Sequence, residues 1–146
     1  MATIWKEIAL RAPADHVWAA IRDIGAIHTR LARGFVTGTQ LDGDSRLVTF
    51  ANGVEVRERI ITIDDARRRL AYAVVGWQTT HHAASFQVHD EGGSRSRLVW
   101  IADILPADLA DLVDGLMEQG STVIRQTLEA SAESAESAES AESGGR

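Results

Sequence analysis

From Thr3 to Arg11 apolar and polar residues alternate, Ile4, Ile8 and Leu10 falling on one side with Lys6, and Trp5, Glu7, Ala9 and Arg11 on the other. That period of two predicts a short strand. Pro13 then suits the first turn of a helix, with Asp15 near its positive end. Val17, Trp18 and Ile21 stand at helical spacing, and Ile24, Ile27 and Leu31 continue that face into a second short helix after Gly25. Alternation returns after Gly34 in six segments: Phe35–Leu41, Arg46–Ala51, Val54–Ile63, Arg69–Trp77, Thr80–His89 and Arg97–Leu105. Short turns separate them, among them Asp42-Gly43, Asn52-Gly53, Asp64-Asp65 and Glu91-Gly92-Gly93. Asn-Gly between two apolar alternating runs predicts a two-residue hairpin. Connections this short exclude crossovers, so the six strands form an antiparallel meander. Pro106 ends the last strand. Beyond it Leu109, Leu112, Val113, Leu116, Gly120, Val123, Ile124 and Leu128 recur at three and four, and most of the acidic residues fall between them. One face of this long helix must be covered, and the sheet is the available partner. The predicted fold is α+β: strand, two short helices, six-stranded meander, and a long C-terminal helix packed on a curved sheet.

The pattern stops at the end of the chain. Ser131 to Ser143 reads SAESAESAESAES, a three-residue repeat with no large apolar side chain. Such a segment buries too little surface to offset its ordering entropy, so residues 1–130 are read as the domain and 131–146 as a solvated tail into which the last helix frays. The repeat also distorts the formal net charge of −6. Setting aside Glu129, the four tail glutamates and Arg146 leaves 16 acids against 14 bases. No basic stripe for phosphate contacts is present, so nucleic acid is not an expected partner.

Composition adds exclusions. A chain of 146 residues, 45% hydrophobic and 25% charged, is ordinary for one globular domain. It has no cysteine, which removes disulfides, thiolate metal sites and cysteine nucleophiles. The opening Met1-Ala2-Thr3-Ile4-Trp5-Lys6-Glu7 has no apolar core, so a signal peptide is not expected. No apolar run approaches the roughly 20 residues of a membrane span. A cytoplasmic location is the expectation. No metal-ligand spacing, nucleophile elbow, phosphate loop or dinucleotide glycine pattern is found, so neither metal nor cofactor is expected, and Asp64-Asp65 reads as a turn.

Three fragments in order carry a family resemblance. Ala12-Pro13-Ala14-Asp15-His16-Val17-Trp18 resembles the opening motif of the START-like, helix-grip superfamily called SRPBCC. Asp23-Ile24-Gly25-Ala26-Ile27-His28 is similar to its short second helix. Val56 to Asp65 followed by Arg69 to Gly76 resembles its central strand pair. The resemblance spans Thr3 to Leu128, and bacterial members of the polyketide cyclase/dehydrase family look nearest, with plant abscisic acid receptors more remote. It implies a cavity for a small apolar ligand between sheet and long helix, without implying one chemistry: relatives bind, transport or cyclise.

Strand parity selects the candidates. In Val54–Ile63 the set Val54, Val56, Glu58 and Ile60 is apolar apart from one carboxylate, while Glu55, Arg57 and Arg59 are charged. With the apolar set inward, Glu58 is a lone acid in a greasy wall. Burial would favour its neutral form and make it a candidate general acid or base, or a partner for a ligand hydroxyl. The abscisic acid receptors are similar in holding a cavity glutamate at the matching place. The alternative is a rim glutamate paired with a neighbour such as Arg57. His82 shares parity with Ala84, Phe86 and Val88, which read as inward. It is the second candidate catalytic group, against the alternative of a satisfied core histidine. His28 is read as near the cavity mouth but exposed, and His16 and His89 as solvent positions. Arg33 lies close to the place of the receptors' ligand-binding lysine but reads as surface. Asn52-Gly53 is too short to match the receptors' gate loop. Trp77 and Phe86 flank the expected pocket, Phe50 and Val56 line it, and Leu112, Leu116 and Gly120 face it from the helix, the glycine leaving room for a ligand.

Three readings follow: a binding or carrier protein for a small apolar molecule; a cyclase or dehydratase on a polyketide-like or terpenoid-like substrate with Glu58 and His82 as acid/base groups; and a protein-interaction module whose core is filled. The oligomeric state is left open by the sequence.

Overall fold

A computed structural model of the chain describes residues 2–144, with side chains through residue 140; Met1 and the last two residues of the tail lie outside that range. Seven strands form one antiparallel sheet: β1 (Ala2–Leu10), β2 (Val36–Asp42), β3 (Ser45–Phe50), β4 (Glu55–Asp64), β5 (Arg69–Val75), β6 (His81–Asp90) and β7 (Ser96–Leu105). Their order across the sheet is β1-β7-β6-β5-β4-β3-β2, so the first strand closes beside the last of the meander. Helix α1 (Ala14–Arg22) follows β1, a five-residue π-helical turn spans Ile27–Leu31, and α2 (Ala110–Gly144) ends the chain.

The alternation sorts side chains as the pattern requires. Ile4, Ile8, Leu70, Phe86, Leu98, Ala102 and Ile104 are buried on the concave face, where α2 delivers Val113, Met117, Ile124 and Leu128. Lys6 also points to this side, and α2 supplies its partners: Nζ pairs with Asp114, and with Glu118 at 2.7 Å. Charge thus pins the first turns of α2 to the edge strand. Helix α1 buries Val17, Trp18 and Ile21. It is tied to the β4–β5 turn, where Asp65 Oδ1 accepts from Trp18 Nε1 at 2.9 Å and Arg22 Nε at 2.8 Å. The Asp64-Asp65 pair is therefore a turn with a docking role, Asp64 Oδ1 taking the Arg67 backbone N–H.

One connection departs from the sequence expectation. Phe50 N–H donates to the Val54 carbonyl, and Val48 stands opposite Val56, so the β3–β4 loop holds three residues, Ala51, Asn52 and Gly53, rather than two. Gly53 takes φ +87°, the left-handed conformation that closes a three-residue hairpin. This one-residue difference sets the register of β3 against β4.

Helix α2 continues through the Ser-Ala-Glu repeat, in keeping with the helix propensity of Ala and Glu. Ser131 Oγ lies 2.8 Å from His16 Nε2 and Ala132 is buried, while residues 133–140 are exposed. His16 is thus half-buried and bonded rather than a solvent position, because α1 meets α2 at that point.

Candidate functional site

The sheet curves around α2 without closing on it, and a cavity of about 410 Å³ lies between them. Side chains do not fill this space, contrary to the packed-core alternative. All nine residues singled out in the sequence lie on its wall: Glu58, His82, Phe50, Val56, Trp77 and Phe86 from the sheet side, and Leu112, Leu116 and Gly120 from α2. Its exposed lining residues, Ala51, Asn52, Val54, Gln78, Leu112 and Gln119, mark the mouth, between the β3–β4 and β5–β6 turns and the N-terminal half of α2. Ile27 and Leu31 of the π-helical turn add to the wall. Arg33 and His28 are not on it. Arg33 is exposed, and His28 Nδ1 lies 3.0 Å from Thr39 Oγ1.

Glu58 faces inward as expected, but it is not a lone acid. Arg46 stands directly opposite it on β3, and Arg46 Nε donates to Glu58 Oε1 at 2.9 Å. Their side chains are 2% and 10% exposed, so this is a buried ion pair. The alternative partner is excluded as well, since Arg57 bonds Asp42 on the outer face. Arg46 also reaches the Ile24 carbonyl through Nη1 at 3.4 Å, and its guanidinium lies 5.5 Å from the Tyr72 ring centre. A planar guanidinium with one face on an aromatic ring and its edge on a carboxylate is well satisfied for a charge so deep.

Tyr72, buried beside this pair, accepts a hydrogen bond from Trp100 Nε1 at 3.1 Å. Burial, and then the neighbouring Glu58 charge, push the phenol well above its ordinary range, so it stays protonated. Tyr72, Phe86 and Trp100 form a stacked row, with centroid separations of 6.0 and 4.9 Å. Trp100 also explains Gly120. A Cβ at that position would sit 3.2 Å from the Trp100 ring and 3.4 Å from Phe35, so the space the glycine leaves is occupied by the indole edge. The glycine is what lets this strand's tryptophan lie against the helix.

His82 stands on the wall with its Nδ1 buried and unpartnered among the described residues. Burial, and then the neighbouring His81, lower its affinity for a proton; burial, and then Arg30, do the same for His16. A native state that binds protons less readily than the unfolded chain loses stability as pH falls through the unfolded histidine value of about 6.5. The melting temperature should therefore decline between pH 7 and pH 5, and His82→Gln should flatten part of that decline. An identical pH slope in the variant would exclude His82 as a source. Asp64 and Asp65, held low by hydrogen bonds from Arg67 and Arg22 respectively, lose their contribution only at more acid pH.

Among the described residues no three His, Cys, Asp or Glu gather to hold a metal ion, and no helix is long and apolar enough to cross a membrane.

Comparison with known proteins agrees with this architecture. No curated protein matches by sequence. The di-domain ARO/CYC BexL of the BE-7585A biosynthetic pathway superimposes with a TM-score of 0.77 at 14% identity, over 88% of this chain and 47% of that one. A START superfamily protein from Mycobacterium smegmatis gives 0.72 at 13% identity, over 90% and 97%. A point mutant of norcoclaurine synthase from Thalictrum flavum, solved with a transition-state analogue, gives 0.63 at 19% identity, over 87% and 93%. At these identities the likeness is one of fold. The family model described as polyketide cyclase/dehydrase and lipid transport matches residues 1–136, and with the helix-grip architecture this makes the chain a member of that family.

Proposed function

We propose that this protein binds a small, largely apolar molecule in the cavity between its curved sheet and α2. The observation that carries this reading is the space itself: about 410 Å³, walled mostly by aliphatic and aromatic side chains and open at one end. That volume is in the range of small-molecule pockets, and a mainly apolar wall with few polar groups is the pattern such pockets share. The test is saturable binding of Nile red, a neutral apolar dye, to the purified chain. Micromolar affinity corresponds to about −8 kcal/mol, a reasonable yield for a pocket of this size. Binding lost on plugging the cavity supports the reading, and no saturable binding refutes it.

A second reading is favoured by the presence of Glu58 and His82 on the same wall. In it the protein is a cyclase or dehydratase. Glu58, ion-paired with Arg46, serves as an acceptor, and neutral His82 moves the proton. Glu58→Gln should then abolish turnover of a polyketide-like or terpenoid-like substrate while dye binding persists. Unchanged turnover would remove Glu58 from the chemistry. The exposed part of the repeat, residues 133–140, is proposed to be a solvated extension without a part in either reading.

A further inference from the structure

The polar end of the cavity is incomplete in a specific way. Glu58 Oε1 takes the Arg46 bond, whereas Oε2 accepts none among the described residues and is not sealed from the cavity. Tyr72 accepts from Trp100, yet no acceptor for its own hydroxyl proton is found among the described residues. Besides the unpartnered His82 Nδ1 on the same wall, this end therefore offers one unused acceptor and one unused donor near each other, next to the Tyr72–Phe86–Trp100 stack. The charge here is already balanced, because Arg46 and Glu58 neutralise each other.

Building on the binding reading, we infer that the cavity selects neutral apolar molecules bearing a hydroxyl group, a phenol or an alcohol, and rejects carboxylates. A hydroxyl donates one hydrogen bond and accepts others, so it can give its proton to Glu58 Oε2 and accept from Tyr72. A ketone satisfies Tyr72 alone. A carboxylate can accept from Tyr72, but it brings a second negative charge against Glu58 in a site too dry to screen it. A protonated amine satisfies Glu58 but leaves an unbalanced positive charge beside Arg46 and finds no acceptor role for Tyr72. The stacked rings favour a flat body behind the hydroxyl.

The experiment is displacement of Nile red near neutral pH by 2-naphthol, naphthalene and 2-naphthoate, which share one ring system and differ in the end group. The expected order is 2-naphthol about tenfold tighter than naphthalene, the scale of one hydrogen bond to a charged group, with 2-naphthoate weakest. In the double variant Arg46→Met with Glu58→Leu, which removes both charges together, the preference for 2-naphthol over naphthalene should shrink to about threefold or less, what the remaining neutral hydrogen bond from Tyr72 supplies. Naphthoate binding as tightly as naphthol, or an unchanged naphthol preference in the double variant, overturns this inference while leaving the cavity reading intact. Failure of Nile red and all three probes to bind overturns the cavity reading itself. Should the double variant not fold, the order measured on the natural chain decides alone.

Discussion

Arg46→Ala is expected to destabilise the protein by about 3–5 kcal/mol, the cost of stranding a buried charge by removing its partner. Glu58 lies against Arg46 with its side chain only 10% exposed, through the cavity, so little replaces the lost guanidinium. The Tyr72 ring and the Ile24 carbonyl lose their contacts as well. Arg46→Met combined with Glu58→Leu should by contrast be close to neutral or stabilising, because two desolvated charges leave together and apolar volume takes their place. Chemical denaturation of the two variants reads the difference directly. If Arg46→Ala were as stable as the natural protein, Glu58 would have to escape to solvent, and the buried pair would not exist as described. This asymmetry bears on function: an ion pair that does not earn its place in stability is more readily understood as a feature of the cavity wall.

The second large effect is expected at Gly120. Replacing it with Phe puts a ring where the Trp100 indole and Phe35 already meet the helix at 3.2 and 3.4 Å from the modest position of a Cβ. Overpacking of this kind costs about 1–3 kcal/mol, offset in part because a non-glycine residue in a helix interior recovers roughly 0.5–1 kcal/mol. The protein should fold, with Trp100 displaced from Tyr72 and the cavity occupied from within. Nile red binding should fall by more than about tenfold, or 1.4 kcal/mol. Leu116→Trp, which fills the cavity from a half-buried position on α2 and leaves Gly120 in place, should lose binding with less damage to stability. Undiminished dye binding in both variants would place the dye elsewhere on the molecule.

Much of this was legible in the residues. Period two against period three-to-four is a direct imprint of which side chains must be buried, so the succession of elements, the six-strand meander and the final helix follow from the chain alone, whereas the pairing of β1 with β7 does not. Parity within Val54–Ile63 placed Glu58 inward for the same reason, and parity within Thr80–His89 placed His82. What escaped was Arg46. It shares parity with Val48 and Phe50, both on the cavity wall, but an arginine at a strand end is exposed by default. The turn compounded the omission. A two-residue Asn52-Gly53 hairpin would set Arg46 opposite Arg59, whereas the three-residue loop shifts the register by one and sets it opposite Glu58. The lone acid and the ion pair thus differ by the length of one hairpin, and local sequence does not separate the two turn types when Asn-Gly suits both. The Trp100 contacts of Gly120 were illegible for a different reason: they join positions twenty residues apart across the sheet–helix interface, and only packing decides which ring fills a glycine's space.

The measurement that bears most directly on the central claim is an NMR titration with 2-naphthol that follows the indole N–H signals of the four tryptophans. Trp77 and Trp100 border the cavity or its stacked wall, whereas Trp5 is 59% exposed on the outer face and Trp18 is bonded to Asp65 beneath α1. Saturable shifts at Trp77 and Trp100, with Trp5 and Trp18 still, are the predicted result. Shifts led by Trp5, or no saturable shift at Trp77 and Trp100, would contradict it.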